Sequence, residues 1–392
     1  MRFEELKAEL RDDFPWYFSV MDGEMPAKYL IAKRVEAERG GPELLDKLTD
    51  SFLKLWRDVR EGREDIRRLE VPKYSLLDYL ADLVDSWVER CTFCRWGCRV
   101  NRKVRAGACQ LNVESRVASY FHHRGEELVF RGTEGSGTVF FTSCNMRCVF
   151  CQNGDISKDK DNGVPLSPRR LAGAIRVLAS EGVHNVNLVG GDPTVHLHTI
   201  IKAIRELAYG NEVVDEVTLL PKADYPYFHS RKRRVYGNEI SVPMLWNSNF
   251  FMSEEAMKVL RLVIDVWLPD FKFGNDRCAL RLSRTPWYVE TVTANLSRIY
   301  SWGEEAVIRH LVMPNHVEDD TMPVLEWIAR NVPNYWVNLM DQYRPEYAAD
   351  PFSPLFDPKY SDIARYPTRE EIETAYSYAR KLGIKFELTT FY

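Results

Sequence analysis

The first ninety residues place apolar positions at helical spacing. Leu45, Leu48, Phe52, Leu55, Trp56 and Val59 recur at three- and four-residue steps, which aligns them on one face of a helix. A second helix is predicted from Leu76 to Val88, with Ser75 placed to cap its first free amides and Leu76, Leu80, Leu83 and Trp87 continuing the stripe. The charged run from Arg60 to Arg68 is a solvated face or a linker. Residues 1–90 are therefore expected to form a helical N-terminal extension that covers the next domain or recognises a partner.

From about Gly137 the pattern changes to alternating strands and helices. Thr138–Thr142 is a short β-rich run. Ser167 and Pro168 begin a helix whose stripe is Leu171, Ile175 and Leu178, closed by Gly182. Strand-like runs follow at Val186–Val189, Met244–Trp246, Val263–Leu268, Ala306–Met313, Trp336–Met340 and Lys385–Leu388. Thr368 and Glu371 form a capping box for a helix through Ile372, Tyr376, Ala379 and Leu382, ending at Gly383. Repeated strand–helix alternation implies parallel strands in a barrel or open sheet, with functional loops at the C-terminal ends of the strands.

Composition narrows the partners. The 392-residue chain is 45% hydrophobic and 28% charged, with net charge −4. That profile suits a globular protein and lacks the basic excess that nonspecific nucleic-acid binding requires, so a nucleic-acid partner is not expected. No apolar run reaches the roughly 18–20 residues that cross a bilayer, and the N-terminus lacks the apolar core of a secretory signal, so a cytoplasmic location is expected.

Cysteine placement carries the chemistry. Seven of the eight cysteines fall between Cys91 and Cys151, and the eighth, Cys278, is expected to be a buried, inert thiol. Cys144, Cys148 and Cys151, separated by three and two residues, directly follow the Thr138–Thr142 strand. One loop with this spacing wraps three corners of an iron–sulfur cubane and leaves one iron without a protein ligand. A structural zinc site normally takes four closed ligands, and a set of buried thiols is the other alternative.

Cys144-Asn-Met-Arg-Cys148-Val-Phe-Cys151 resembles the CxxxCxΦC signature of radical SAM enzymes, where Φ is aromatic. Cys151–Ser157, Trp246–Asn249, Leu268–Lys272, Arg309–Pro314 and Met340–Pro345 resemble the subgroup of pyruvate formate-lyase activating enzyme homologs, so the resemblance spans roughly residues 90–392. It implies a partial (β/α)6 barrel over residues 136–392, preceded by a Cys-rich module at 91–135. It further implies a [4Fe–4S] cluster on Cys144, Cys148 and Cys151 whose open iron binds S-adenosylmethionine (SAM). One-electron reduction then yields methionine and a 5′-deoxyadenosyl radical that abstracts hydrogen from a substrate. By the same resemblance Phe150 lies near the adenine. Gly190, Gly191 and Asp192 stand where the family has GGE and meets the methionine amino group; aspartate is one methylene shorter. Asn247, Ser248 and Asn249 resemble residues that touch the SAM ribose and carboxylate; the alternative is a helix cap near Ser253. Asp270, Lys272, Arg309, His310, Gln342 and Tyr343 fall at strand ends and are candidate substrate-pocket residues, the first four the catalytic candidates, with structural ion pairing the alternative.

Cys91, Cys94, Cys98 and Cys109 supply four thiols within about twenty residues. The closed set suits a structural zinc, which it slightly favours, or an auxiliary iron–sulfur cluster. Arg95, Arg99, Arg102, Lys103 and Arg105 make this module basic, either for an acidic partner or as solvated charge. Residues 211–241, with Tyr225, Tyr227, Tyr236 and the run Arg231–Arg234, look like an insertion that serves as a lid or docking arm. Three functions follow: hydrogen abstraction from a protein or peptide, as in a glycyl-radical activase; radical modification or methylation of a small molecule, lipid or RNA; and a non-enzymatic zinc-binding interaction protein. The first two require a low-potential electron donor such as flavodoxin or ferredoxin.

Overall fold

The computed structural model describes residues 2–210, 220–222 and 232–390. The barrel begins with an antiparallel pair, β1 (Ser115–His123) and β2 (Ser136–Phe141), with the short β3 (Val164–Leu166) on the far side of β1. From β2 onward the chain repeats one unit. Strands β2, β4 (Val186–Gly190), β7 (Met244–Ser248), β8 (Val266–Pro269), β9 (Val307–Leu311) and β10 (Trp336–Met340) are each followed by a helix. Between β4 and β7 lies a two-residue hairpin, β5 (Val235–Tyr236) and β6 (Glu239–Ile240). The six strands run parallel in chain order: β2–β4, β4–β7, β7–β8 and β9–β10 as full ladders, and β8–β9 through bridges at Trp267–Ala306 and Asp270–Arg309. This is a partial (β/α)6 barrel, and the sheet-or-barrel alternative is resolved by those two bridges.

Side chains alternate across a strand, and here the alternation sorts the interior into layers. Near the strand starts, Leu245, Val266, Leu268 and Val307 form an apolar floor. One step up, Asn187, Asn247, Arg309 and Asn338 meet in a polar network with Glu126 and Glu127. At the strand ends, Val189, Asp270, Leu311 and Met340 line a cavity.

The N-terminal extension closes the floor. Phe3, Leu6, Leu10, Phe14, Tyr17 and Phe18 join the floor residues in one apolar cluster. Polar ties fix its angle. The Glu305 carboxyl accepts from the amides of Trp16 (2.6 Å) and Tyr17 (2.9 Å), satisfying free amides at the start of the helix Pro15–Asp22. Asp265 accepts from Trp16 Nε1 and from the amide of Lys28, both at 2.9 Å. The helices Leu45–Arg60 and Leu76–Ser86 bury the stripes their spacing predicts, and Ser75 with Asp78 completes a capping box.

Three expectations change. Lys385–Leu388 is not a strand: Lys385 makes a single bridge to Trp336, Phe386 stacks on Tyr376, and the chain turns into the helical segment Glu387–Thr390. Four alternating residues fit a strand edge or a turn equally well, and the burial of Phe386 decides. Trp87 falls in a 3-10 turn past the helix end and is half-buried. In the 211–241 segment, Tyr225, Tyr227 and Arg231 lie outside the described residues, but Arg234 is not part of a solvated arm. Its buried guanidinium donates to the carbonyls of Met21, Gly182 and Val183 at 2.7–2.9 Å.

The contact between extension and barrel predicts a large stability loss at one pair. Lys28 Nζ lies 2.6 Å from Glu304 with side-chain exposures of 1% and 2%. Lys28→Met leaves a buried carboxylate with only the more distant cation of Arg261, 3.9 Å away, and should cost about 3 kcal/mol in urea unfolding, with part recovered on adding Glu304→Gln. An unchanged midpoint in the single variant would rule this pair out as the anchor.

Candidate active site

The end of β2 delivers the three-cysteine loop. Ser143, with φ of 66°, turns the chain out of the strand, and Cys144 follows. The loop is pinned from two sides: the amides of Arg147 and Val149 donate to Ser283 and Leu282, and the Val149 carbonyl accepts from the Ala348 amide. The strand beside it ends in Gly190, at φ 117°, and Gly191. A Cβ on Gly191 would lie 1.7 Å from the Ser143 carbonyl oxygen, and one on Gly190 2.2 Å from the Phe141 nitrogen. Only glycine lets the β4 end approach the cysteine loop this closely.

Two of the three thiols meet hydrogen-bonding groups, and the third cysteine is held through its backbone carbonyl. Asn249 Nδ2 donates to Cys144 Sγ at 3.5 Å and the Met146 amide at 3.3 Å, Cys151 Sγ is 3.1 Å from Ser157 Oγ, and Lys158 Nζ donates to the Cys148 carbonyl at 2.6 Å. Burial pushes the Cys148 thiol up to about 11, opposed by Lys272, and raises Cys144 further with Asp192 adding to the effect. Without a cation the thiolates are disfavoured here.

These thiols open on a cavity of about 220 Å³. Its lining contains Phe150, Gly190, Gly191, Asp192, Asn247, Ser248, Asn249, Asp270, Lys272, Arg309 and Gln342, so nearly the whole predicted set converges on one place. His310 does not. One residue beyond Arg309 in the strand, it faces away from the interior. It is fully buried, with Nδ1 2.7 Å from the Phe271 carbonyl and Nε2 2.9 Å from Thr321 Oγ1. Its selection as a catalytic residue is corrected by that alternation. Tyr343 is likewise buried, its hydroxyl donating to the Ile363 carbonyl at 2.7 Å. Asp192 is buried and committed: Oδ1 accepts from the Thr194 amide, and Oδ2 from Ser248 Oγ and the Asn249 amide. It ties the ends of β4 and β7 together.

Beneath the cavity lies a feature the sequence did not reveal. Arg309 makes paired contacts with Glu127 at 2.6 and 2.7 Å and also pairs with Glu126. Asn338 donates to Glu127 at 2.8 Å and Asn187 to Glu126 at 2.5 Å. Two carboxylates around one guanidinium leave an excess negative charge if both ionise, and burial pushes Glu127 up to about 7. Polar residues recurring mid-strand in otherwise apolar runs were the available signal; their glutamate partners come from the β1–β2 connection, where no pattern marks them. Asp270 pairs with Lys272, two residues further along the same segment, in the cavity lining.

The four-cysteine module docks beside this site through Arg95–Phe251, Ser253–Phe93 and Trp96–Asn145 hydrogen bonds. Gly107 packs between two of its thiols: a Cβ there would lie 3.2 Å from Cys98 Sγ and 3.8 Å from Cys109 Sγ. The Cys91 thiol donates to Cys98 and holds it down to about 5, while burial pushes Cys94 up to about 12. Arg102, counted among the basic residues of the module, is buried and donates to the carbonyls of Asn112 and Val195. Cys278 is buried against Asp320 and His316, its thiol raised to about 11 by burial.

A parallel barrel with three thiols at the end of its first strand and a glycine pair at the end of its second defines an iron–sulfur enzyme class, and the chain belongs to the radical SAM superfamily. Residues 138–328 match the Radical SAM superfamily model. The chain is 36% identical over 374 residues to an uncharacterized protein of Methanocaldococcus jannaschii, an alignment covering 94% of this chain and 97% of that one. It is similar over 72 residues, at 32% identity, to a probable GTP 3′,8-cyclase of Thermoplasma volcanium, covering 18% and 21% of the two chains. Among solved structures, Streptococcus suis SuiB bound to S-adenosylmethionine aligns with TM-score 0.40 and 11% identity over 62% of this chain and 47% of that one. Membership implies a [4Fe–4S] cluster, SAM and an enzyme of SAM-cleaving chemistry. The residues fit such a group: three thiols, two buried and one half-buried, share one cavity with backbone that only glycine permits. No helix among the described residues is long and apolar enough to cross a membrane.

Two variants test the geometry. Gly191→Ala should force the β4 end away from Ser143, an overpacking worth about 1–3 kcal/mol. It should weaken SAM binding in equilibrium dialysis about tenfold; unchanged binding would show that the close approach is dispensable. Arg309→Met strands two buried carboxylates and should lower stability by about 3–5 kcal/mol in urea unfolding, against a smaller loss for Arg309→Lys.

Proposed function

We propose that this protein reductively cleaves SAM and uses the radical to abstract hydrogen from a protein or peptide, in the manner of a glycyl-radical activase. Cys144, Cys148 and Cys151 hold the [4Fe–4S] cluster, and their convergence on one cavity with the Gly190–Gly191 end is the observation that carries the reading. When bound, that cluster supplies the electron that splits SAM into methionine and a 5′-deoxyadenosyl radical. The protein's own residues then orient and exclude. Phe150, between Phe273 and Tyr343, offers an aromatic edge for the adenine. The backbone of Gly190 and Gly191 meets the methionine amino group, with Asp192 acting through the two strand ends it joins. Asn247, whose buried Nδ2 has no hydrogen-bond partner among the described residues, and Ser248 and Asn249 address the ribose and carboxylate.

Cavity size supports the substrate class. At about 220 Å³ it lies at or below the small end of the ~300–1,000 Å³ typical of ligand pockets, so it leaves no room for a second enclosed molecule beside SAM. SAM would occupy it, and the substrate carbon arrives at the mouth, where Asp270 and Lys272 stand. A protruding peptide segment suits that entry. Cys91, Cys94, Cys98 and Cys109 hold a second metal centre, and a flavodoxin or ferredoxin is the electron donor.

The test is anaerobic reconstitution followed by SAM and dithionite, with 5′-deoxyadenosine and S-adenosylhomocysteine quantified by mass spectrometry. We expect 5′-deoxyadenosine from the native protein and at least a hundredfold less from Cys148→Ala. Accompanying S-adenosylhomocysteine would replace hydrogen abstraction with methylation, and absence of both products in iron-loaded protein would overturn the enzyme reading.

A further inference from the structure

The two cysteine sets meet at one side chain. Asn145, the residue after Cys144, lies beside the Cys94 thiol of the four-cysteine module and acts to lower its pKa. Its Oδ1 accepts from Cys144 Sγ at 3.8 Å and from Asn249 Nδ2 at 2.7 Å. Its backbone carbonyl accepts from Trp96 Nε1 of the module at 2.7 Å, and its Nδ2 donates to the Phe251 carbonyl at 3.1 Å. One buried residue, 2% exposed, therefore contacts a sulfur of the first set and the Trp96 side chain of the module that carries the second, between the two. A metal that only stabilised the module would have no need of this contact.

The module's outer face has a charge pattern. Arg95, Arg99, Lys103 and Arg105 are exposed. Arg95 and Lys103 reach Glu290 and Glu89 at 3.5 and 3.0 Å, surface pairs worth little. Arg99 and Arg105 have no carboxylate partner among the described residues. Val104, between Lys103 and Arg105, is 80% exposed. A cationic face around an exposed apolar residue suits an acidic protein that docks briefly, because charge complementarity speeds encounter more than it tightens binding.

Resting on the radical SAM reading above, we infer that the four cysteines hold an iron–sulfur cluster that is the electron-entry port: a small acidic one-electron carrier docks on the Arg99–Arg105 face and reduces it, and the electron crosses at Asn145 to the cluster on Cys144, Cys148 and Cys151. The carrier is oxidised by one electron, SAM accepts that electron as its carbon–sulfur bond breaks, and no atom or proton moves between the two centres.

The experiment has two readouts on the full chain. Metal analysis and electron paramagnetic resonance of reconstituted Cys148→Ala should show an iron–sulfur cluster retained at the four-cysteine site and reducible by dithionite. Zinc or no metal at that site would overturn the inference. Flavodoxin kept reduced by its NADPH-dependent reductase should drive 5′-deoxyadenosine formation in the native protein, with a rate that falls steeply as salt rises. The surface double variant Arg99→Glu, Arg105→Glu should lose at least tenfold of the flavodoxin-driven rate and most of its salt dependence, with the dithionite-driven rate unchanged. Equal flavodoxin-driven rates in variant and native protein would overturn the inference. If native protein yields no 5′-deoxyadenosine even with dithionite, the radical SAM reading itself falls; dithionite-driven product from protein with zinc at the four cysteines removes only the port.

Discussion

A single arginine held between two glutamates inside the barrel sets the level of everything above it. A guanidinium in a dry interior is tolerated only when paired and hydrogen-bonded, and Arg309 is met by Glu126 and Glu127 from the β1–β2 connection and by Asn247 from β7. This ionic layer separates an apolar floor from a reactive cavity. Below it, hydrophobic burial closes the strand starts; above it, the strand ends are free to carry polar loops. The excess carboxylate charge is relieved by burial, which raises Glu127 to about 7.

On that platform, close approach does the fine positioning. Gly190 and Gly191 bring the end of β4 against Ser143, and Asp192 then ties Thr194, Ser248 and Asn249 to one carboxylate. The aspartate that stands in for the family's glutamate is thus fully engaged by the protein. Its shorter side chain reaches the neighbouring strand end, and the cavity keeps its shape because two strand ends move as one unit.

The two appended pieces act from opposite ends. The N-terminal helices seal the strand starts, using Glu305 and Asp265 to fix their angle. The four-cysteine module sits by the strand ends, joined to the loop after β7 through the Arg95–Phe251 and Ser253–Phe93 backbone bonds and to the cysteine loop through Asn145. The chain thus carries its own floor and its own wall, and both are built before the barrel begins in sequence.

The sequence alone determined the cysteine sets, the glycine pair and the strand–helix period, because each depends on local spacing: a loop wrapping a cluster, a backbone needing no Cβ, a stripe on a helix. It also marked Asn247 and Arg309 as strand-end polar residues. Tertiary structure decided the rest. Which face of β9 looks inward separates Arg309 from His310, and a shift of one residue reverses the answer. Glu126 and Glu127 matter only because the β1–β2 connection folds beneath Arg309, and Asn145 only because residues fifty positions away dock against it. Arg234 and Arg102 look like solvated charge until the backbone carbonyls that hold them are in place. Local pattern fixes what an element is; long-range packing fixes what it faces, and the chemistry of this site lies in what its residues face.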